Sequence, residues 1–270
     1  DTDALTRDCG KWVEDYRDSL PERTDRFGYI AKWRYDQDVR AGDVSQTGQV
    51  AVTLWESYAA QGVFDKDDIC TRLDEFLAPL DGTELSGRYS DRAVRETWAH
   101  RSQGIPWGEA GSSTDTAEAA IWNVVHAAHG DGDMQTLAVD THLCVNLTHN
   151  SSYITGCSTA FVLAVGALIN GVGLDAIRKH MSSLRNDPDI SARTCSNDVM
   201  FQVGNEAAVM GARPDLTIDP IVACRLIGMN CTMSFQVPAA YFLLHRFADN
   251  FEQGVLTAVN AGGNNMVRGA

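Results

Sequence analysis

The chain has 270 residues, 44% of them hydrophobic and 21% charged, which is enough apolar material for a large buried core and too much for a disordered polymer. Its 36 acidic and 22 basic residues leave a formal net charge of -14, with the acids spread along the chain. Binding along a nucleic-acid duplex needs a basic footprint, so that class of function is excluded, while the length alone allows one or two domains.

From the N-terminus, residues 49 to 54 alternate like a strand, but Val50, Leu54 and Tyr58 share one helical face equally well. After Asp67, the residues Ile69, Leu73, Phe76, Leu77 and Leu80 recur three or four apart, with Arg72, Asp74 and Glu75 opposite, and predict an amphipathic helix. Residues 81 to 111 form the longest irregular insert, with a helix expected over residues 87 to 98 and a surface loop over residues 102 to 111. A further helix is expected from Thr116 through Ala120, Ile121, Val124, Val125 and Ala128, stopped by Gly130 and capped by Thr114 or Asp115. The run from Ile154 to Ile169 is apolar nearly all round and predicts a central buried helix. Leu174, Ile177, Met181 and Leu184 give a shorter one. Pro220 and Pro238 suit the first turns of two more helices, and Asp249 is placed to cap the last long one. The count is about ten helices and no confident strand, which predicts an all-α fold built as one domain, an orthogonal helical bundle.

Seven cysteines lie far apart, odd in number and without a CxxC pair, as expected of reduced thiols rather than a disulfide frame or a zinc site. The glycosylation sequons at Asn146, Asn150 and Asn230 are read as chance matches. No apolar run approaches the ~20 residues that span a bilayer, so the expectation is an intracellular, cytoplasmic protein with no membrane partner.

Four segments, in order, carry a resemblance. Gly42-Asp43-Val44-Ser45-Gln46-Thr47 leads into a helix, Gly111-Ser112-Ser113-Thr114-Asp115-Thr116 opens another, and Leu147-Thr148-His149 precedes the buried helix. The fourth runs from Val237-Pro238 through residues 251 to 263, ending in Gly262-Gly263. Together they resemble the ADP-ribosylglycohydrolase superfamily over more than four fifths of the chain. That resemblance implies an all-helical fold in which aspartates from the first and last loops hold two divalent ions, magnesium or manganese, at helix N-termini. The ions would grip a ribose and activate water, releasing ADP-ribose from a modified protein or small molecule. It also implies that Asp43, Asp115 and Asn264 meet around one cleft.

The sequence departs from the catalytic pattern at two places. Catalytic members carry two adjacent aspartates where this chain has Asp43 and then Val44, and Gly-Gly-Asp-Thr-Asp-Thr where it has Gly262-Gly263-Asn264-Asn265-Met266-Val267. Asparagine offers a hard ion only a neutral oxygen, and methionine and valine offer it nothing. The departures themselves, together with Gly87 to Arg92 and Gly262 to Arg268, resemble the J-type crystallin branch. The expectation is therefore a hydrolase with weak or lost activity, or a non-catalytic structural or ligand-binding relative.

The resemblance points to Asp43 and Asp115 as catalytic candidates, Asp43 also as a metal ligand, and to Ser45, Gln46, Thr116, His149, Asn264 and Asn265 as ligand-binding candidates. Local chemistry gives all of them but Gln46 a second reading. Asp43, Ser45, Asp115 and Thr116 sit where helix caps sit, Asn264 and Asn265 suit a helix-ending turn, and His149 suits a buried structural position.

Overall fold

A computed structural model describes residues 13–14, 41–80, 91–194 and 199–270. Trp12, Trp33, Cys9, Cys195 and the first residues of the helix expected over residues 87 to 98 lie outside them. The chain divides into two compact units, one of residues 15–114 with 146–150 and the other of residues 1–14, 115–145 and 151–270.

In the smaller unit, the stretch that alternates like a strand is helical. Helix α1 (Gln46–Gln61) buries Val50, Leu54 and Tyr58, ends at Gly62 and packs against α2 (Lys66–Leu77). The Asp65 carboxylate caps α2 by accepting from the backbone N–H groups of Asp67 and Asp68, and Ile69, Leu73 and Leu77 fill its inner face as their spacing requires. Helix α3 (Arg92–Ser102) starts at Asp91, whose buried carboxylate accepts from the Val94 N–H at 3.0 Å. The loop after it is tied down. Asp74 accepts from Arg101 Nη2 at 2.7 Å and from Trp107 Nε1 at 3.1 Å, while the Arg101 guanidinium lies over the Trp107 ring.

In the larger unit, the single helix expected from Thr116 is two, α4 (Glu118–Trp122) and α5 (Val124–His129), broken at Asn123 and stopped at Gly130. Neither Thr114 nor Asp115 caps α4. Its cap position is Ala117, because Thr116 is drawn into an isolated antiparallel bridge with Thr232 and the Asp115 carbonyl accepts from Met233 N–H at 2.9 Å. Helix α6 (Met134–Thr148) leads to Ser151, whose hydroxyl caps the central α7 (Ser152–Ile169).

Helix α7 buries twelve of its residues, among them Ile154, Val162 and Leu163. By length and composition alone it would pass for a membrane span, with a mean hydropathy of 1.7, but 67% of that window is buried in the protein's own core. One apolar cluster joins it to α6, to α8 (Ile177–Leu184) and to α9 (Pro188–Arg193) through Leu137, Ile177, Met181 and Ile190. Beyond α10 (Val199–Ala212) and α11 (Pro220–Ile227), where Pro220 occupies the first turn as expected, comes α12 (Met233–Arg246). Pro238 lies inside α12 rather than in its first turn, since the backbone bond from Met233 to Asp115 starts the helix earlier. A second cluster joins α7 to α12 through Ile154, Cys157, Met233 and Val237, and a third runs through Cys224, Phe242 and Ala258. Helix α13 (Phe251–Asn260) is capped by Asn250, not Asp249, and α14 (Asn265–Gly269) by Asn264. The described residues thus hold fourteen α-helices, more than the sequence suggests because short helices leave little periodicity, and no strand beyond isolated bridges.

Candidate functional site

The smaller unit gathers the first, second and third motifs. Ser45 is the N-cap of α1, its hydroxyl accepting from Gly48 N–H at 3.2 Å, so the capping reading holds for it. Asp43 is exposed just before that cap, and the Gln46 amide oxygen accepts from the Asp91 N–H at 3.2 Å, which fixes the start of α3. Ser112 pairs with the third motif through a parallel bridge. Its N–H donates to Thr148 O at 2.9 Å and its carbonyl accepts from Asn150 N–H at 2.7 Å. Gly111 makes the approach feasible, since a Cβ there would stand 2.8 Å from the Asn150 nitrogen.

His149 is fully buried between these strands of contact, with Nδ1 3.0 Å from the Thr148 hydroxyl, and burial pushes its imidazole down to about 4. It is neutral at ordinary pH. Around it, Thr97 donates to Thr148 O, and the Ser112 hydroxyl donates to Glu96. Burial pushes the Glu96 carboxyl up, but the Ser112 hydroxyl and Arg92 together bring it below its ordinary value.

The larger unit joins the second motif to the fourth. Gly262 and Gly263 both adopt left-handed backbone conformations, with φ of 77 and 67 degrees, and turn the chain so that Asn264 N–H donates to Met229 O at 2.9 Å. Asn264 then caps α14 with its side-chain oxygen, which accepts from Val267 N–H, while its amide nitrogen donates to Glu118 Oε1 at 3.3 Å. Asn265 donates to the Val259 carbonyl. The two asparagines therefore begin a helix rather than merely ending one. Asp115 is exposed and contributes its backbone carbonyl, while Thr116 is buried and its side chain hydrogen-bonds Glu118.

Glu118 is the centre of this group and sequence reasoning missed it. Only 4% exposed, it has one oxygen toward Asn264 and the other without a partner. Burial pushes its carboxyl above the ordinary value of 4.5, against the hydrogen bonds from Thr116, its own backbone and Asn264. The signal was present. Glu118, Ile121, Trp122 and Val125 fall on one helical stripe, and an acid on an apolar stripe calls for an explanation. Gln236, buried on the first turns of α12, donates to Asn230 O and leaves its amide oxygen without a partner. A buried carboxyl of raised pKa with one oxygen unpaired can hold a proton for, or accept a bond from, a neutral polar ligand.

A family sequence model for ADP-ribosylglycohydrolase matches residues 4–270. The chain belongs to the ADP-ribosylglycohydrolase family. A solved structure described as an ADP-ribosylglycohydrolase-related protein complex superposes with a TM-score of 0.56 at 16% identity, over 96% of this chain and 81% of that one. It shows the same fold. No curated protein matches the chain.

The fold family implies a pair of divalent ions, and the residues of the larger unit do not suit such a pair. Its candidate site supplies one buried carboxylate, Glu118, whose pKa is raised, the exposed Asp115, and an Asn264 oxygen already engaged as a helix cap. Two hard cations need several anionic oxygens to offset their dehydration. Among the described residues, no group of three or more His, Cys, Asp and Glu side chains is placed to hold a metal ion.

Proposed function

We propose that this family member is a diverged ADP-ribosylglycohydrolase-like protein that binds an ADP-ribose-related ligand, free or on a modified protein, and hydrolyses its glycosidic bond weakly or not at all. The observation that carries this reading is the pairing of Asn264 with Glu118 at 3.3 Å. At the turn where the resemblance calls for an aspartate facing a cation, a neutral amide caps its own helix and satisfies a buried carboxyl. Magnesium or manganese would bind weakly, and release of ADP-ribose would be correspondingly slow. The test is turnover of an ADP-ribosylated arginine or serine peptide with magnesium, repeated after Asp43→Ala. Little or no release in both proteins is expected. Clear activity in the parent that disappears in the variant would overturn the reading, and calorimetry with ADP-ribose in the presence and absence of magnesium reports binding separately.

A second reading, a non-catalytic crystallin-like structural protein, is favoured by the role of Arg268. This residue of the Gly-Gly-Asn-Asn-x-x-Arg ending is buried, and its Nη2 donates to the carbonyls of Ala258 and Gly262, fastening the last turn of the chain to α13. Absence of any ADP-ribose binding would select this reading over the first.

A further inference from the structure

Helix α8 is built against its own dipole. Its first turn carries Arg178, Lys179 and His180 and no acid, its cap position Ala176 makes no side-chain hydrogen bond, and its last turn holds no basic residue. The positive end of a helix dipole favours acids and opposes cations, so residues 178–180 weaken the helix they begin. What holds α8 is its inner face, where Ile177 and Met181 are 2% and 4% exposed within the apolar cluster shared with α7. A helix of eight residues held mainly by two side chains opens at lower cost than the long helices around it.

The outer face of α8 gathers cations around a hydroxyl, in a chain whose net charge is -14. Arg178, Lys179, Ser182, Ser183 and Arg185 are all exposed. On a helix, residues three and four apart are neighbours. Ser182 therefore lies beside Arg178 and Lys179, which precede it at those spacings, and beside Arg185, which follows it where the backbone is still right-handed helical. Ser183 has Lys179 and His180 at the same spacings, but Arg185 is only two residues on and faces another way. The Ser182 hydroxyl donates to the Arg178 carbonyl at 2.9 Å, which keeps its oxygen on the cationic face. Nearby acids are engaged elsewhere. Asp187 caps α9 and accepts from Gln135 Nε2 at 2.6 Å, and Asp189 pairs with Arg193 at 3.7 Å. Of the helices packed against α8, α7 carries no charged residue and α10 only the exposed Glu206. On α12, burial and then the charge of Arg178 hold the His245 imidazole below its ordinary value.

From this arrangement we propose that Ser182 is a phosphorylation site, modified by a protein kinase that selects basic residues on the N-terminal side of its serine. The co-reactant is magnesium ATP. The bond from the γ-phosphorus to the oxygen bridging it to the β-phosphorus breaks, a bond from the γ-phosphorus to Ser182 Oγ forms, ADP leaves with the electron pair, and the hydroxyl proton passes to the kinase's catalytic base. Opening of α8 presents Arg178 and Lys179 to the kinase, and reclosing sets the phosphate among Arg178, Lys179 and Arg185, with which it forms charge-assisted bonds. The site does not depend on the function proposed above.

The test treats the 270-residue chain with magnesium ATP and, separately, two purified kinases, one that selects arginine or lysine before serine and one that selects acidic residues. The first should place phosphate on Ser182, located by fragmentation mass spectrometry, about tenfold or more faster than the second. Ser182→Ala should abolish that phosphate, Ser183→Ala should leave it, and Arg178→Gln combined with Lys179→Gln should slow its addition about tenfold. Because a kinase can read an opened segment by sequence alone, a second measurement concerns the closed helix. Phosphorus NMR of the product should show the second ionisation of the phosphoserine below its ordinary value of about 6, and concentrated urea should bring it back toward that value. No phosphate on Ser182, faster modification by the acid-directed kinase, or an ionisation that is the same in the folded chain and in urea would each overturn the proposal.

Discussion

Replacing Glu118 by glutamine tests whether the buried carboxyl is held in its neutral form. In the unfolded chain the group titrates near its ordinary value of 4.5, and in the folded chain burial raises it. Below 4.5 both states carry the proton, and the favourable contribution is fully present. As pH rises from 4.5 toward the folded pKa, the unfolded state loses its proton first, and stability falls by about 1.4 kcal/mol per pH unit until the folded pKa is passed. Glutamine keeps the shape and an oxygen for the Asn264 amide, and it removes the titration. The expected result, from urea denaturation across this range, is a variant close to the parent at low pH and more stable by about 1–3 kcal/mol near pH 7.5. Asp140, which burial raises to about 6, contributes the same slope to both proteins, so the difference isolates Glu118. Parallel pH profiles would refute the reasoning, and so would a Glu118→Gln protein less stable at every pH.

Ser45→Ala should cost about 1 kcal/mol and lower the melting temperature, because the hydroxyl holds the Gly48 N–H at the start of α1; an unchanged melt would mean that water replaces the cap without penalty. Gly263→Ala should cost about 2 kcal/mol or more, since φ is +67 and an added Cβ would run into the Met229 carbonyl, and its loss of stability should be read by thermal melting against a solvent-exposed Gly→Ala control.

The long helices were legible because burial on several faces writes itself into composition. The Ile154 to Ile169 run has no polar side to place, so a central helix was the one arrangement that covers it, and α7 buries twelve residues. Caps were legible where the capping residue is adjacent to its helix, as at Ser45. The start of α4 and the position of Pro238 within α12 were not, and both for one reason. Thr116 and Asp115 are bound to Thr232 and Met233, more than a hundred residues away, and those backbone bonds decide where α4 and α12 begin. Local periodicity carries no trace of a partner at that distance. At the site, the resemblance singled out Thr116 and Asn264, and the structure brings them together around Glu118, a residue the motifs do not name.

The ending of the chain explains why its divergence is coherent rather than a scatter of lost ligands. Suppose residue 264 were an aspartate, as in the catalytic pattern, while Glu118 remained 4% exposed within 3.3 Å of it. Two carboxylates in that setting could not both ionise without a cation between them, so one would take up a proton or a metal ion would be required. An asparagine removes the requirement. Its amide nitrogen gives Glu118 a donor, its oxygen caps α14, and neither function needs an ion. On the reading proposed above, in which divalent ions bind weakly, the loop depends on protein contacts, and Arg268 supplies them by binding the carbonyls of Ala258 and Gly262. On that reading the neutral amide at 264 and the buried arginine at 268 are two halves of one change, in which backbone and side-chain hydrogen bonds do the positioning that the resemblance assigns to divalent ions in the catalytic pattern.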